Sequence, residues 1–85
     1  MYELFTRNKR VEKRLREYIN QRLSIIEKLR LLQLNPRKEC GAHQLKGELQ
    51  GKWACWLGHN IRMIYKIDDI QKIITIEEIG THKVY

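Results

Sequence analysis

The fold is decided by residues 53–67, which read WACWLGHNIRMIYKI. Two runs rich in aromatic and branched side chains, 53–57 and 61–67, flank the turn-forming residues Gly58-His59-Asn60. Strand-forming runs on both sides of such a turn are typical of a β-hairpin. The segment therefore predicts two antiparallel strands, and the rest of the fold is built outward from them.

Alternation along the second strand assigns its side chains to the two faces of the sheet. The apolar face, which should lie under helices, carries Ile61, Met63, Tyr65 and Ile67. The other face carries Arg62 and Lys66, with Trp56 beside them on the neighbouring strand. Because an arginine and a lysine next to an indole suit phosphate binding and base stacking, we expect this second face to be exposed and functional.

Two helices are predicted before the hairpin. Apolar residues recur at helical spacing between residues 8 and 34, with charged residues on the opposite side. Asn8 can cap the first helix, and Asn35-Pro36 ends the second because the residue before a proline is disfavoured in helical geometry. One straight helix over this stretch would be about 40 Å long, which is awkward in so small a domain, so we predict a break near Ile19-Asn20.

The hairpin continues into a third strand over 73–79, after a turn at Asp68-Asp69. Consecutive hairpins make these three strands an antiparallel meander, and a short first strand is predicted over 2–6. The order of elements is therefore β-α-α-β-β-β. This order indicates an α+β fold, with an antiparallel sheet and two N-terminal helices packed on one of its faces.

The chain has 85 residues and a formal net charge of +7, from 17 lysines and arginines against 10 aspartates and glutamates. A chain of this length forms one domain, 1–85, whose core is too small for a large internal cavity, so an active site should be an open surface. Any one basic residue has an ordinary reading as a solvated side chain, but the cluster between residues 7 and 38 favours contact with a polyanion. Its members are Arg7, Lys9, Arg10, Lys13, Arg14, Arg16, Arg22, Lys28, Arg30, Arg37 and Lys38.

The cysteines and the hydropathy pattern indicate the compartment. Cys40 and Cys55 form no C-x-x-C pair, which is typical of packing residues in a reducing cytoplasm. Met1 is followed directly by a strand-like segment, so no signal peptide is expected. No apolar run approaches the roughly 20 residues of a membrane span, and no tight group of cysteines and histidines suggests a metal. We expect a cytoplasmic protein with no membrane contact, no cofactor and no metal.

Histidine suits proton transfer near neutral pH, and two histidines lie near the ends of predicted strands. His82 follows the last strand, and His43 lies in the turn-rich segment before the hairpin. In metal-independent RNA cleavage, a base deprotonates the ribose 2′-hydroxyl, whose oxygen attacks the adjacent phosphorus while an acid protonates the leaving 5′-oxygen. A cation must stabilise the charged phosphorane, and Arg62 is the candidate. Each of these residues alone has an ordinary reading as a surface side chain, and their combination points to RNA cleavage.

Further residues complete the predicted site. Tyr85 is a candidate for stacking on a base or for contacting the scissile phosphate. The candidates for RNA binding are Lys46, Lys52, Trp56 and Lys66. By contrast, His59 is interpreted as a solvated residue of the hairpin turn, and Trp53 as a core residue.

Together, these residues resemble the RelE/ParE superfamily of toxins from bacterial and archaeal toxin–antitoxin modules, in particular its RelE and YafQ branches. The resemblance covers nearly the whole chain and depends on the order and spacing of several short motifs. These motifs are Leu34-Asn35-Pro36, His43-Gln44-Leu45-Lys46-Gly47, Arg62-Met63-Ile64-Tyr65 and Gly80-Thr81-His82. The resemblance implies a metal-independent endoribonuclease that cleaves mRNA, typically on the ribosome, and leaves a 2′,3′-cyclic phosphate or a 3′-phosphate. It also implies an antitoxin protein as the neutralising partner.

The match assigns roles residue by residue. Arg62 matches the strand arginine of RelE-like members. His82 matches the histidine of the YafQ-like Gly-Thr-His ending, and His43 matches the upstream histidine of the same branch. Tyr85 resembles the terminal aromatic residue of the family. These matches imply that Arg62 binds phosphate and that the two histidines transfer protons.

The chain departs from both branches at identifiable positions. YafQ-like proteins often have a histidine where Trp56 stands, and an Asp-Trp pair in place of Asn60-Ile61. The strand lysines of RelE fall at Trp53 and Cys55. The chain therefore combines parts of two catalytic sets.

Two other functions are compatible with the sequence. A ParE-like toxin inhibits DNA gyrase and needs no nuclease residues, and an inactive domain would bind RNA or a partner protein without cleaving. A geometric criterion separates both functions from a nuclease: in a nuclease, His82, His43 and Arg62 must converge on one exposed face.

Overall fold

In the computed structural model, which describes residues 1–81, the chain forms two helices and five strands. Two of the predicted site residues, His82 and Tyr85, lie outside the described residues. The elements are β1 (Glu3–Thr6), α1 (Lys9–Gln21), α2 (Ser24–Leu34), β2 (His43–Gln44), β3 (Trp53–Trp56), β4 (Arg62–Asp68) and β5 (Ile73–Gly80). The α+β fold with two N-terminal helices is confirmed, and β2 is an additional strand that is too short to show alternation in the sequence.

The five strands form one sheet in the order β1-β5-β4-β3-β2. As predicted, β3, β4 and β5 form an antiparallel meander, in which Cys55 pairs with Met63 across the hairpin. β1, however, pairs with β5 in parallel, with Glu3 opposite Ile73. The prediction of a wholly antiparallel sheet is therefore wrong for its first strand, and the sheet is mixed. Alternation shows which side chains share a face, but it carries no information about the direction of the neighbouring strand.

The helix ends follow local hydrogen bonding. The side-chain oxygen of Asn8 accepts a 2.9 Å hydrogen bond from the backbone N–H of Val11, so the predicted N-cap is confirmed. The backbone N–H of Arg22 donates to the carbonyl oxygens of the last turn and closes α1 there, two residues later than the predicted break. α2 ends at Leu34, as predicted from the proline that follows Asn35.

Both helices pack on one face of the sheet, as predicted. The buried residues of this core are Val11, Ile25, Leu29, Leu32, Cys55, Leu57, Ile61, Met63, Tyr65, Ile74, Ile76 and Ile79. The hydroxyl of Tyr65 donates a 2.6 Å hydrogen bond to the carbonyl oxygen of Pro36. Burial raises the pKa of Tyr65 above its ordinary value, so the hydroxyl stays protonated and holds the segment after α2 against the sheet.

The opposite side of the sheet, called the helix-free face below, carries Ala54, Trp56, Arg62, Ile64 and Lys66. The expectation that this face is exposed is wrong at its centre, where Ile64 is only 3% exposed. Leu45 and Leu49, from the segment between β2 and β3, pack over it together with Ala54. Because Ile64 is apolar, the chain folds back to remove it from water, and the face is accessible mainly on either side of this cover.

A β-bulge interrupts the pairing of β4 and β5. The register shifts between Ile64 and Tyr65, which makes Glu77 the extra residue on β5. The isoleucines that flank the pair Glu77-Glu78 both lie in the core under the helices. The bulge therefore brings two adjacent carboxylates to the helix-free face, where strict alternation would place one.

Candidate nucleic-acid interface

Arg62 and Trp56 form the centre of the candidate interface. They are direct cross-strand neighbours on β4 and β3, and the guanidinium carbon of Arg62 lies 4.2 Å from the centre of the Trp56 ring. At this distance the cation is attracted to the face of the indole, which restricts the rotamers of both side chains. Trp56 is 37% exposed, so the stacked pair borders solvent and can meet a ligand from outside.

At Gly41 the backbone passes close to Cδ1 of the Trp56 ring. Its φ is +66°, and a Cβ at this position would lie 3.3 Å from Cδ1 of Trp56. A residue with a side chain would therefore be strained and crowded here. The role of Gly41 was not predictable from the sequence, since one glycine in a loop gives no signal of a close contact that only the fold creates.

His43 joins the same group through Gly41. Its ring Nδ1 lies 3.2 Å from the carbonyl oxygen of Gly41. Because a carbonyl oxygen only accepts, Nδ1 carries the proton in this hydrogen bond, and Nε2 of the neutral ring is then the basic nitrogen. His43 is exposed on β2 opposite Ala54, two residues before Trp56 on the same face of β3. The structure thus places His43, Trp56 and Arg62 in one region, whereas the convergence expected for His82 lies outside the described residues.

The chain leaves the sheet beside Arg62. Gly80, the last residue of β5, is directly opposite Arg62, and His82 follows in sequence outside the described residues. The guanidinium group of Arg14 on α1 donates a 3.2 Å hydrogen bond to the carbonyl oxygen of Ile79. A basic residue of the first helix therefore borders this end of the sheet, although α1 packs on the opposite face.

Lys52 and Lys66, predicted to bind RNA, share one buried carboxylate. The Nζ of Lys52 lies 2.9 Å from Oε1 of Glu77, and the Nζ of Lys66 lies 4.0 Å from Oε2. Glu77 is only 8% exposed, so its charge is stabilised chiefly by these two cations. Two lysines and one glutamate retain a net charge of +1, which still attracts phosphate but less than two separate lysines. Glu77 was not predicted as a site residue, although the spacing of the core isoleucines in β5 signals the bulge that turns its carboxylate toward these lysines.

Lys46 lies apart from that cluster, on the segment between β2 and β3. It is exposed at the edge of an open depression of about 460 Å³. The other lining residues are Gln44, Leu45, Gly47, Gln50 and Gly51. Polar side chains and accessible backbone surround this depression, so Lys46 is placed to contact a polar ligand that extends beyond His43.

The basic residues of the first half of the chain occupy a second surface. The exposed basic residues of α1 are Lys9, Arg10, Lys13, Arg14 and Arg16. Ion pairs hold Arg7 to Glu78 at 2.9 Å, Arg16 to Glu12 at 3.0 Å and Arg37 to Asp69 at 2.8 Å. The cluster predicted from the sequence is thus partly neutralised, and α1 contributes five of its exposed basic side chains.

The remaining functional signals of the sequence have structural positions. Cys40 and Cys55 are not bridged, and burial raises the pKa of the Cys55 thiol, so it is a protonated packing residue. Among residues 1–81, no three His, Cys, Asp or Glu side chains are grouped so that they could hold a metal ion. Neither helix of the described chain is long and apolar enough to cross a membrane.

No family model matches the chain, and no curated protein matches it in sequence. Several solved structures match it in fold. The YoeB–YefM complex from Staphylococcus aureus matches with a TM-score of 0.73 and 18% identity, over 96% of this chain and 98% of the other. YafQ from E. coli matches with a TM-score of 0.66 and 18% identity, over 96% and 94%. The toxin–antitoxin complex RelBE2 from Mycobacterium tuberculosis matches with a TM-score of 0.69 and 17% identity, over 95% and 98%.

These structures agree with the chain over nearly its whole length. They share with this chain the two N-terminal helices and the sheet that the resemblance implied. At identities below one fifth, such a likeness shows the fold and leaves the activity to the site. The chain has the fold of the RelE/ParE superfamily of toxins.

Proposed function

We propose that this chain is the toxin of a toxin–antitoxin module and that it cleaves mRNA as a metal-independent endoribonuclease, on the ribosome. The observation that carries the proposal is the convergence of His43, Trp56 and Arg62 around Gly41 on one accessible end of the helix-free face. A base, a stacking platform and a phosphate-binding cation are three of the groups that suit cleavage of a single RNA strand, and the general acid would be His82.

In the proposed reaction each of these residues has a separate role. Nε2 of His43 removes the proton from the ribose 2′-hydroxyl, and the 2′-oxygen then forms a bond to the adjacent phosphorus. Arg62 stabilises the negative charge that develops on the phosphorane oxygens. The bond from phosphorus to the 5′-oxygen breaks, and His82 donates the proton that this oxygen takes up. The products are a 2′,3′-cyclic phosphate and a free 5′-hydroxyl, and Tyr85 and Trp56 hold the neighbouring bases.

A protein partner would meet a different surface. β1 is an edge strand of the sheet formed by residues 1–81, and an apolar groove of about 340 Å³ runs between it and α1. Its apolar lining includes Leu4, Phe5, Leu15 and Ile19, and Phe5 is 49% exposed. An exposed strand edge beside an apolar groove suits an added strand with apolar side chains. We infer that the antitoxin docks there, since two of the structures with this fold are complexes with antitoxins.

Primer extension on a reporter mRNA tests the proposed activity. The purified protein is mixed with the mRNA in the presence and absence of ribosomes, and the same reactions are run with Arg62→Ala, His43→Ala and His82→Ala. We expect discrete cuts that depend on ribosomes and that each substitution reduces at least a hundredfold, in the range of a lost general acid or base for the histidines and of a lost charge-stabilising group for Arg62. His59→Asn is the matched control, because His59 lies in the hairpin turn at a φ of +45° that asparagine tolerates.

The other outcomes separate the alternatives. Cuts without ribosomes would show a nuclease of free RNA. A folded protein that cuts under neither condition but inhibits DNA gyrase would replace the proposal with the ParE-like function. Cuts that persist in all three variants would show that the site lies elsewhere.

A further inference from the structure

The outward side of α2 carries large apolar side chains that the core does not use. Ile25, Leu29 and Leu32 bury the inward side of this helix against the sheet. The opposite side exposes Ile26 by 43%, Leu31 by 37% and Leu34 by 61%, and Leu23, which directly precedes the helix in helical geometry, is 71% exposed. Isolated exposed leucines are ordinary, but four large apolar residues on one side of a helix and its capping residue form a patch that favours contact with another molecule.

The order of residues along this side is symmetric. Leu23, Glu27, Arg30 and Leu34 are separated by four, three and four residues, which places them in one line along the helix. The line reads apolar, acidic, basic, apolar. When a second α2 lies antiparallel across it, Leu23 faces Leu34 of the other copy, and Glu27 faces Arg30. Every position then meets a complementary one, and the same contacts are made twice.

We propose that this side of α2 is a self-association surface on which a second copy of the chain packs in antiparallel orientation. A self-complementary patch of this kind gives a closed dimer with two-fold symmetry. Within one chain, Arg30 lies 3.6 Å from Glu27, and both side chains are more than three-fifths exposed. They can therefore exchange this weak pair for two pairs between chains without unfolding any part of the helix. Ile26 and Leu31 flank the central line, one on each side, and widen the apolar contact.

The dimer leaves the candidate nucleic-acid interface accessible. α2 covers one face of the sheet, and Arg62 and Trp56 lie on the other. Two copies joined through α2 therefore present their helix-free faces outward, in opposite directions. One helix side of three turns offers less area than the roughly 1,200–2,000 Å² of a stable interface, so the association should be weak and depend on concentration.

Sedimentation equilibrium over a range of protein concentrations tests the charge pattern. We expect the wild type to change from one chain to two at micromolar concentrations. Glu27→Arg and Arg30→Glu each place like charges opposite one another and should shift this transition at least tenfold upward in concentration. The double variant, which reverses both charges, should restore it. If the double variant associates no better than the single ones, the antiparallel pairing is wrong.

Cross-linking tests the register independently. In a Cys40→Ser background, Leu23→Cys and Leu34→Cys should form a disulfide-linked dimer when the two variants are mixed. Each variant alone should not, since identical positions lie at opposite ends of the paired helices. Circular dichroism confirms that the variants remain folded. A single chain at every concentration, or cross-links that do not depend on mixing, would overturn the proposal and leave the patch to another partner.

Discussion

Arg62 and Trp56 face each other across β4 and β3, with the guanidinium carbon 4.2 Å from the centre of the indole ring. This stacking has two effects. It fixes the arginine in one region of the helix-free face before any ligand arrives, and it spares the ligand the entropic cost of ordering that side chain. A strand arginine thereby becomes a preorganised cation beside the end of β5.

The ring of Trp56 should therefore contribute to function through Arg62. We expect Trp56→Ala to lower kcat/KM for RNA cleavage about three- to tenfold, the range of an exposed to partly buried cation–π contact. Trp56→Phe keeps an aromatic face and should lose less. Single-turnover cleavage of a defined RNA measures both variants. Equal rates for the alanine variant and the wild type would show that the stacking has no functional role.

The buried carboxylate of Glu77 should stabilise the fold through Lys52. Lys52→Met leaves this carboxylate with one distant cation, so we expect it to lower the free energy of unfolding by about 1–3 kcal/mol. Lys66 lies farther from Glu77 and its side chain is 57% exposed, so Lys66→Met should cost less. Urea unfolding of both variants measures the difference. The reverse order of stability would contradict the role assigned to the bulge.

Asp69 should make the stability depend on pH in acid. Hydrogen bonds from Arg37, and next from the hydroxyl of Tyr2, lower the pKa of Asp69 to about 2. Since an unfolded aspartate titrates near pH 4, its contribution is complete above about pH 4 and is lost as the pH falls toward 2. We expect the wild type to be more stable than Asp69→Asn at pH 6. That advantage should shrink between about pH 4 and pH 2 in urea unfolding. A constant difference would show that this carboxylate is not the titrating group.

The hydrogen bond from Tyr65 to the Pro36 carbonyl should matter more than an exposed one. Tyr65→Phe removes a donor from a buried acceptor, so we expect a loss of about 1–2 kcal/mol in the free energy of unfolding. Tyr2→Phe is the matched control, because it deletes the same hydroxyl at an exposed position where water can replace it. Thermal or urea unfolding compares the two. Equal losses would show that the Pro36 carbonyl is satisfied in some other way.

The basic side of α1 should contribute to the salt dependence of RNA binding. Lys9, Arg10 and Lys13 are exposed on this helix. If they contact phosphates, replacing all three by glutamine should reduce the slope of log affinity against log salt by about 2 for a single strand. Fluorescence anisotropy with a labelled RNA gives this slope. An unchanged slope would mean that the RNA stays on the helix-free face.

The sequence predicts best what depends on local pattern. The turn at Gly58-His59-Asn60 and the alternation that follows it are enough to place Trp56 and Arg62 side by side, and Asn8 and Pro36 are enough to bound the helices. These features follow from residues that are close in sequence. The functional roles of Lys46, Lys52 and Lys66 remain predictions.

Features that depend on distant partners were not predictable in this way. Three such features are the parallel pairing of β1, the cover over Ile64 and the approach of Gly41 to Trp56. Each is a contact between two different segments of the chain, so no local pattern predicts it. The bulge at Glu77 is an intermediate case. The three-residue spacing between the core residues Ile76 and Ile79 is visible in the sequence. The ion pair that the bulge makes possible, however, depends on Lys52, which precedes β3.

The parallel pairing of β1 with β5 also affects when the protein can fold during synthesis. Glu3 pairs with Ile73, so the first strand is without its neighbour until nearly all of the sheet has been translated. β5 also lies between β1 and β4, and contacts at such sequence separation form slowly. The helices and the β3–β4 hairpin can form earlier, but the sheet closes only after β5 leaves the ribosome. For a protein proposed to act on translation, the sheet that carries the candidate site is thus incomplete until β5 has been translated.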